Sequence, residues 1–363
     1  MSDKPSRKPG WSWPEGDLAP GERRDMAIHA TQGFSGQALE IPIHVWRGKE
    51  DGPSVFVTAA LHGDEINGTG AVREMVLDPG FELKSGCLLL VPVLNVLGFE
   101  RHSRYLPDRR DLNRSFPGSD SGSMASRFAH RIFEEIILRS DFGIDLHSAA
   151  VRRTNYPHIR GDFSNPEVDR LARAFGTEIM VDTLGPKGSM RRAACDVGCP
   201  TILLEAGEVW KVEPTVVEVT HRGILSVLRS LNMVEGKAYK PEFRIIAKKT
   251  VWLRAEAGGF LRFHAAPGEL VEKGQTLATN TSLLGREQST IVSPMDGVIL
   301  GMTTLPSVAP GDPVLNIGRL RQPIERIEKK VDNLTQDSLH ERIVSDLSSS
   351  VMVDDLEDKP DSG

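Results

Sequence analysis

His62 and Glu65 stand three residues apart at the end of an apolar run, Val55-Phe56-Val57-Thr58-Ala59-Ala60-Leu61. An imidazole nitrogen and a carboxylate oxygen delivered by one turn suit a zinc ion, and the C-terminal edge of a buried strand is where open α/β sheets keep their chemistry. A lone His-x-x-Glu is common, so a third ligand is required. His147 supplies it: Phe142-Gly143-Ile144-Asp145-Leu146 is a second apolar run ending in a histidine, with an acidic residue two positions earlier. Three protein ligands leave a fourth position for water, the pattern of a catalytic zinc. The plainer alternative, two histidines that cap core strands through hydrogen bonds, explains each one singly but not both at strand ends of one sheet.

A second concentration of polar chemistry lies in residues 95–123, which carry Gly, Pro, Arg, Asp and Ser without a helical or strand period. Loops this long are usually functional or disordered. This one holds Arg101, Arg104, Arg109, Arg110 and Arg114, and a guanidinium binds a carboxylate through two parallel hydrogen bonds. Arg109 and Arg110 read as solvated charge, whereas Asp111-Leu112-Asn113-Arg114-Ser115-Phe116-Pro117-Gly118, with an apolar anchor and a turn, reads as a structured substrate loop.

Apolar runs at 55–61, 87–94, 142–146, 179–181 and 201–204 punctuate the chain after a strand at 39–46. Between them lie helical periods: Ala71, Val72, Met75, Val76; then Phe128, Ala129, Ile132, Phe133, Ile136; then Val168, Leu171, Ala172, Phe175. A further helix is expected over 214–231. Strands alternating with helices predict an α/β fold, a mostly parallel sheet flanked by helices.

The motifs His62-Gly63-Asp64-Glu65, Asn95-x-x-Gly98-Phe99, Asp111-Leu112-Asn113-Arg114-x-Phe116-Pro117-Gly118, Asp145-Leu146-His147-Ser148 and Leu204-Glu205-Ala206-Gly207, in this order and spacing over residues 40–235, resemble the succinylglutamate desuccinylase/aspartoacylase family, relatives of the zinc carboxypeptidases. The resemblance implies a zinc-dependent hydrolase of amide bonds in N-acyl amino acids, with one Zn2+ per chain. It implies His62, Glu65 and His147 as zinc ligands, Arg104 facing the oxyanion, Asn113 and Arg114 holding a substrate carboxylate, and Glu205 as general base. Independent chemistry agrees on Glu205, which follows the apolar Thr201-Ile202-Leu203-Leu204 and precedes small residues that leave room for substrate. Glu208 is the competing base, and Asp145 is expected to orient a ligand histidine rather than to react. Arg152, Arg153 and Tyr156 are available to the substrate without an assigned role. The Arg109-Arg110 pair leaves Arg101 and Arg109 as alternatives to Arg104.

With 363 residues and a net charge of −6, the chain can bury a large core and lacks the basic field that nucleic acid requires. A small-molecule partner is expected; no apolar run is long enough to span a membrane. The N-terminus shows no secretory pattern, so a cytoplasmic protein is expected. A homo-oligomer stays open. Cys87, Cys195 and Cys199 are too few for a disulfide framework and read as buried thiols.

Four segments are expected: a flexible arm over 1–24, which could also cover a sheet edge; the hydrolase domain over 25–240; a small all-β unit over 241–320; and a helical, acidic, partly disordered tail over 321–363. The β unit repeats a Gly/Pro cadence, Gly258-Gly259-Phe260-Leu261 with Pro267-Gly268, then Asp296-Gly297-Val298-Ile299 with Pro310-Gly311, and resembles biotinyl/lipoyl domains. The hairpin Ser282-Leu283-Leu284-Gly285-Arg286 lacks the lysine that carriers need, so the unit reads as a part that shapes or shields the site. Two other functions stay in view: a metallocarboxypeptidase acting on peptides, and a non-enzymatic carrier using the β unit.

Overall fold

The structure, a computed structural model, describes residues 7–33, 35–320, 322–334, 338–349 and Val353. Its strands are β1 (Arg23–Gln32), β2 (Ala38–Arg47), β3 (Glu50–Ala59), β4 (Ser85–Val91), β5 (Phe142–His147), β6 (Arg153–Gly161), β7 (Ile179–Asp182), β8 (Thr201–Glu208) and β9 (Ile245–Ala247). The second unit adds β10 (Thr250–Arg254), β11 (Gly259–Phe263), β12 (Leu270–Val271), β13 (Thr276–Thr281), β14 (Glu287–Val292), β15 (Gly297–Thr303), β16 (Ser307–Val308) and β17 (Pro313–Arg319). The helices are α1 (Asn67–Leu77), α2 (Val96–Glu100), α3 (Met124–Glu135), α4 (Pro166–Phe175), α5 (Met190–Asp196), α6 (Pro214–Ser230), α7 (Ile324–Val331) and α8 (Leu339–Ser349).

The apolar runs form the centre of the sheet, where β4, β3, β5 and β8 lie side by side and parallel. Their alternate residues feed two cores. Val55, Val57 and Ala59 of β3 pack with Val72 and Met75 of α1, Leu171 and Phe175 of α4 and Ile224 and Val227 of α6. Phe56, with Leu89 and Val91 of β4, packs instead with Phe128 and Ile132 of α3 and Met190 and Ala194 of α5. A strand covered on both faces has no reason to alternate polar and apolar residues, which is why these runs are continuous.

The sheet as a whole is mixed rather than mostly parallel. β6 pairs antiparallel with β8, because only residues 148–152 separate it from β5 and a parallel crossover needs a dozen residues or more. At the other side, β1 and β2 add antiparallel strands. The sheet then runs on through β6 into β15, β17 and β10 of the second unit, so the two units share one sheet. After residue 240 the chain adds β9 beside β7 before the second unit begins. That unit also holds a separate sheet in the order β14-β13-β11-β16 and its own apolar core.

Residues 7–22 are not a loose arm. Trp13 and Leu18 are buried in the same core as α3, and the Arg139 guanidinium stacks on the Trp13 ring at 4.4 Å while donating to the Ser12 carbonyl. Arg139 also binds Glu135, Nη2 to Oε2 at 2.7 Å. Because Arg139 is buried, removing its charge leaves Glu135 and a backbone carbonyl short of a donor. Arg139→Met should therefore destabilise by about 3 kcal/mol, measured as a lower Tm, with turnover per folded molecule unchanged. Beyond the second unit, α8 packs Ile343 and Leu347 inward, and His340 Nδ1 lies 2.8 Å from both the Tyr156 hydroxyl and Glu178. The acidic run 354–358 falls outside the described residues. No helix among the described residues is long and apolar enough to cross a membrane.

Candidate metal centre and substrate pocket

β3, β5 and β8 are adjacent parallel strands, so their C-terminal ends meet at one edge. The turn after β3 begins at Ala60, whose φ of 48° swings the chain out of the sheet, and it is pinned by Leu94 N–H to Ala59 O and Asn95 N–H to Ala60 O, both at 2.9 Å. Gly63 then packs directly on Gly98 of α2; a Cβ at Gly63 would come within 2.0 Å of the Gly98 carbonyl carbon. Asn95 caps α2 by accepting from Gly98 N–H at 2.8 Å. This five-residue helix, which shows no period in the sequence, is what holds the turn carrying His62 and Glu65.

His62, Glu65 and His147 are brought together, all buried, with one ligand atom from each lying within 4.8 Å of the others. Glu65 sits between the rings: Oε1 is 2.7 Å from His62 Nδ1 and Oε2 is 2.7 Å from His147 Nδ1. The far ring nitrogens each face a carboxylate, His147 Nε2 lying 2.8 Å from Asp145 Oδ2 and His62 Nε2 3.3 Å from Asp111 Oδ1. Asp145 is itself fixed by the Thr58 hydroxyl, which donates at 2.9 Å. Carboxylates behind the imidazoles set the tautomer and aim the near nitrogens inward.

Electrostatics agree with a cation site. Burial resists ionisation of Glu65, but the two imidazoles outweigh it and hold the carboxyl well below its usual range. Burial likewise opposes charge on His147, yet Asp145 and Glu65 raise it well above an ordinary histidine; His62 is raised the same way by Glu65 and Asp111. Three carboxylates around two imidazoles call for positive charge between them. Two imidazole nitrogens and one carboxylate are a donor set that could hold a metal ion with a position to spare.

The cluster opens into a pocket of about 310 Å³, small enough for a metabolite. Arg104, Asn113, Arg114 and Glu205 all line it. Arg104 Nη1 donates to Glu65 Oε1 at 2.9 Å; Arg101 and Arg109 do not line the pocket. Asn113 Oδ1 accepts from Met190 N–H at 2.9 Å, and Arg114 Nη1 donates to the Asn113 carbonyl at 2.7 Å. Glu205 stands opposite His147 in the β5–β8 register, about 4.8 Å away across the strands. Glu208 points elsewhere, toward Thr304 Oγ1 at 2.7 Å and Lys211 Nζ at 2.5 Å.

Apart from Arg153, the wall beyond Glu205 leaves no signal in the sequence. It comprises Arg153, Asn155 and Arg160 of β6, Arg191 of α5 and Trp252 of β10. β6 escapes notice because Pro157 interrupts a polar run. Arg153 stacks on Trp252 at 4.7 Å, so a residue of the second unit lines the pocket. Arg152 is exposed and Tyr156 turns away to Glu178.

The Halomonas elongata protein named N-alpha-acetyl-L-2,4-diaminobutyric acid deacetylase is 26% identical over 290 residues, 71% of this chain and 84% of that one. A succinylglutamate desuccinylase/aspartoacylase structure from Rhodobacter sphaeroides superposes with a TM-score of 0.73 at 23% identity, covering 83% of this chain and 96% of that one. The product-bound ectoine utilization protein EutE (DoeB) from Ruegeria pomeroyi gives 0.73 at 22%, covering 83% and 97%. Both structures share the fold. The family model of the succinylglutamate desuccinylase/aspartoacylase catalytic domain matches residues 51–231, the stretch that contains His62, Glu65, His147 and Glu205. By way of that stretch the chain belongs to the succinylglutamate desuccinylase/aspartoacylase family.

Proposed function

We propose that this chain is a zinc-dependent amidohydrolase that cleaves the C–N bond of an N-acyl amino acid, with His62, Glu65 and His147 as metal ligands and Glu205 as general base. The observation that carries the reading is one pocket lined by the two-histidine, one-carboxylate cluster, a strand-end carboxylate and five arginines. Held there, zinc would polarise the scissile carbonyl and lower the pKa of a neighbouring water. Glu205 takes the proton from that water as its oxygen bonds the acyl carbon, and returns it to the departing amine as the C–N bond breaks. Arg104, already beside Glu65, faces the developing oxyanion. The products are a carboxylate and an amine.

The arginines narrow the substrate. Arg114, Arg153 and Arg191 form no ion pair among the described residues; they meet the Asn113 carbonyl, the Trp252 ring and the Thr183 carbonyl. Burial pushes Arg153 and Arg191 down from the usual arginine value, so both gain from an anion. A substrate with more than one carboxylate fits this wall better than one with a basic side chain such as diaminobutyrate, the amino acid in the Halomonas relative's name. Amine release from acidic, neutral and basic N-acyl amino acids and from short peptides tests the reading: acidic N-acyl amino acids should turn over best. Preference for basic substrates would refute the anion wall, and preference for peptides would restore the metallocarboxypeptidase.

Arg114→Lys should lose the two-pronged grip on a substrate carboxylate and raise the barrier by roughly 1.5 to 3 kcal/mol in kcat/KM. Substrates amidated at that carboxylate should be poor for the parent enzyme and indifferent to the change. Equal sensitivity of both would make Arg114 a structural residue.

The β unit supports an enzyme over a carrier, since the β13–β14 hairpin tip carries Leu283 and Leu284 rather than lysine; we take it as a biotinyl/lipoyl-type scaffold. Three free thiols accord with a cytoplasmic setting.

A further inference from the structure

β6 breaks step with β8 at one place. Asn155 lies opposite Gly207 and His158 opposite Glu205, so β6 spends one residue more than β8 over this interval. An inserted residue turns every side chain beyond it to the other face of the sheet. Here it places Asn155, His158 and Arg160 on the face of Glu205 and sends Tyr156 to the opposite side. Pro157 occupies the bulge, where no ladder donor is needed.

Two of these side chains reach Glu205. Asn155 Nδ2 donates to Glu205 Oε2 at 3.1 Å, and Arg160 Nη1 lies 3.7 Å from Oε1. Beneath them His158 is fully buried, its Nδ1 2.7 Å from the Tyr156 carbonyl and its Nε2 3.1 Å from Arg160 Nε. The carbonyl accepts only from an N–H, so the proton is on Nδ1 and Nε2 is left to accept from Arg160. Burial and the adjacent guanidinium push His158 down to about 3, which keeps that acceptor available throughout the neutral range.

The second unit completes the arrangement. Gly301 of β15 pairs with Asn155, and a Cβ there would lie 2.3 Å from Asn155 Oδ1. Asn155 can present its amide nitrogen to Glu205 because the facing strand has no side chain at that point.

We propose that Asn155, His158 and Arg160 are positioning residues for Glu205: His158 fixes the rotation of the Arg160 guanidinium, and the guanidinium and the Asn155 amide together hold the carboxylate facing the pocket. The inference rests on Glu205 being the general base. Neither His158 nor Gly301 lines the pocket, so their effects pass through their neighbours.

The test measures kcat, KM and structure in parallel. In the zinc-loaded protein, His158→Leu should lower kcat by roughly tenfold or more, within the range for a misplaced catalytic group, with KM little changed. His158→Gln, whose amide oxygen can accept from Arg160, should recover most of that loss. Added to Glu205→Gln, His158→Leu should cost nothing further, because residues acting as one unit are not additive. A crystal structure of metal-free His158→Leu should show the Arg160 guanidinium turned away from Glu205. An effect confined to KM, or an equal loss in both backgrounds, would overturn the proposal. Wild-type kcat in Glu205→Gln alone would instead remove the base assignment beneath it. Where His158→Leu does not fold, Gly301→Ala, pressing on Asn155 from the other unit, should give the same loss and the same absorption by Glu205→Gln, and an additive loss there counts against the proposal.

Discussion

Glu205→Gln should reduce kcat by about a hundredfold or more, the size of a general-base contribution, while zinc content, KM and fold are kept. The amide is nearly isosteric, and its oxygen can still accept from Asn155, which now donates to Oε2 at 3.1 Å. What it cannot do is take a proton. Were Glu205 only a strand-end carboxylate serving Asn155 and Arg160, the Gln variant would melt earlier and turn over almost normally. Normal kcat with lowered Tm would therefore remove Glu205 from the chemistry. Glu208 would be a poor substitute, being committed to Thr304 and Lys211.

Alanine at His62, Glu65 or His147 should abolish zinc binding, which the parent protein should show at about one ion per chain, the stoichiometry of a three-ligand site. Glu65 is the most exposed to this test because it touches both histidines. Asp145→Asn gives the graded counterpart: it leaves every ligand in place but weakens the acceptor behind His147, and should cost about 10- to 100-fold in zinc affinity. Metal analysis and competition with a chelator read both effects. Full occupancy in all three alanine variants would sink the site.

The half of the candidate site on β3, β5 and β8 was legible because buried parallel strands write themselves as apolar runs, and a histidine or glutamate ending such a run is conspicuous. His62, Glu65, His147 and Glu205 were all found this way. Asp111 was visible inside its motif, but its contact with His62 Nε2 crosses 49 residues of chain and has no local signature. The wall on β6 was hidden by its composition: Arg153-Thr154-Asn155-Tyr156-Pro157-His158 has a proline in the middle and no alternation, because the bulge destroys the period. Arg191 sits on α5, two turns long and too short for a helical signal. Trp252 reaches the pocket only because β15 continues the sheet beyond β6, a pairing between distant segments that no spacing reveals. The same distance rule explains residues 7–22, whose Pro, Gly and Trp content looks loose until Arg139 is seen lying on Trp13.

Hydrolysis of an N-acyl amino acid that depends on the metal at His62, Glu65 and His147 can be followed as amine release from an N-acyl dicarboxylic amino acid before and after the metal is stripped. The zinc-loaded protein should release amine, lose that activity on stripping and regain it when zinc is restored. Undiminished release from the stripped protein, or none from any N-acyl amino acid with zinc bound, would rule out the metal-dependent hydrolysis.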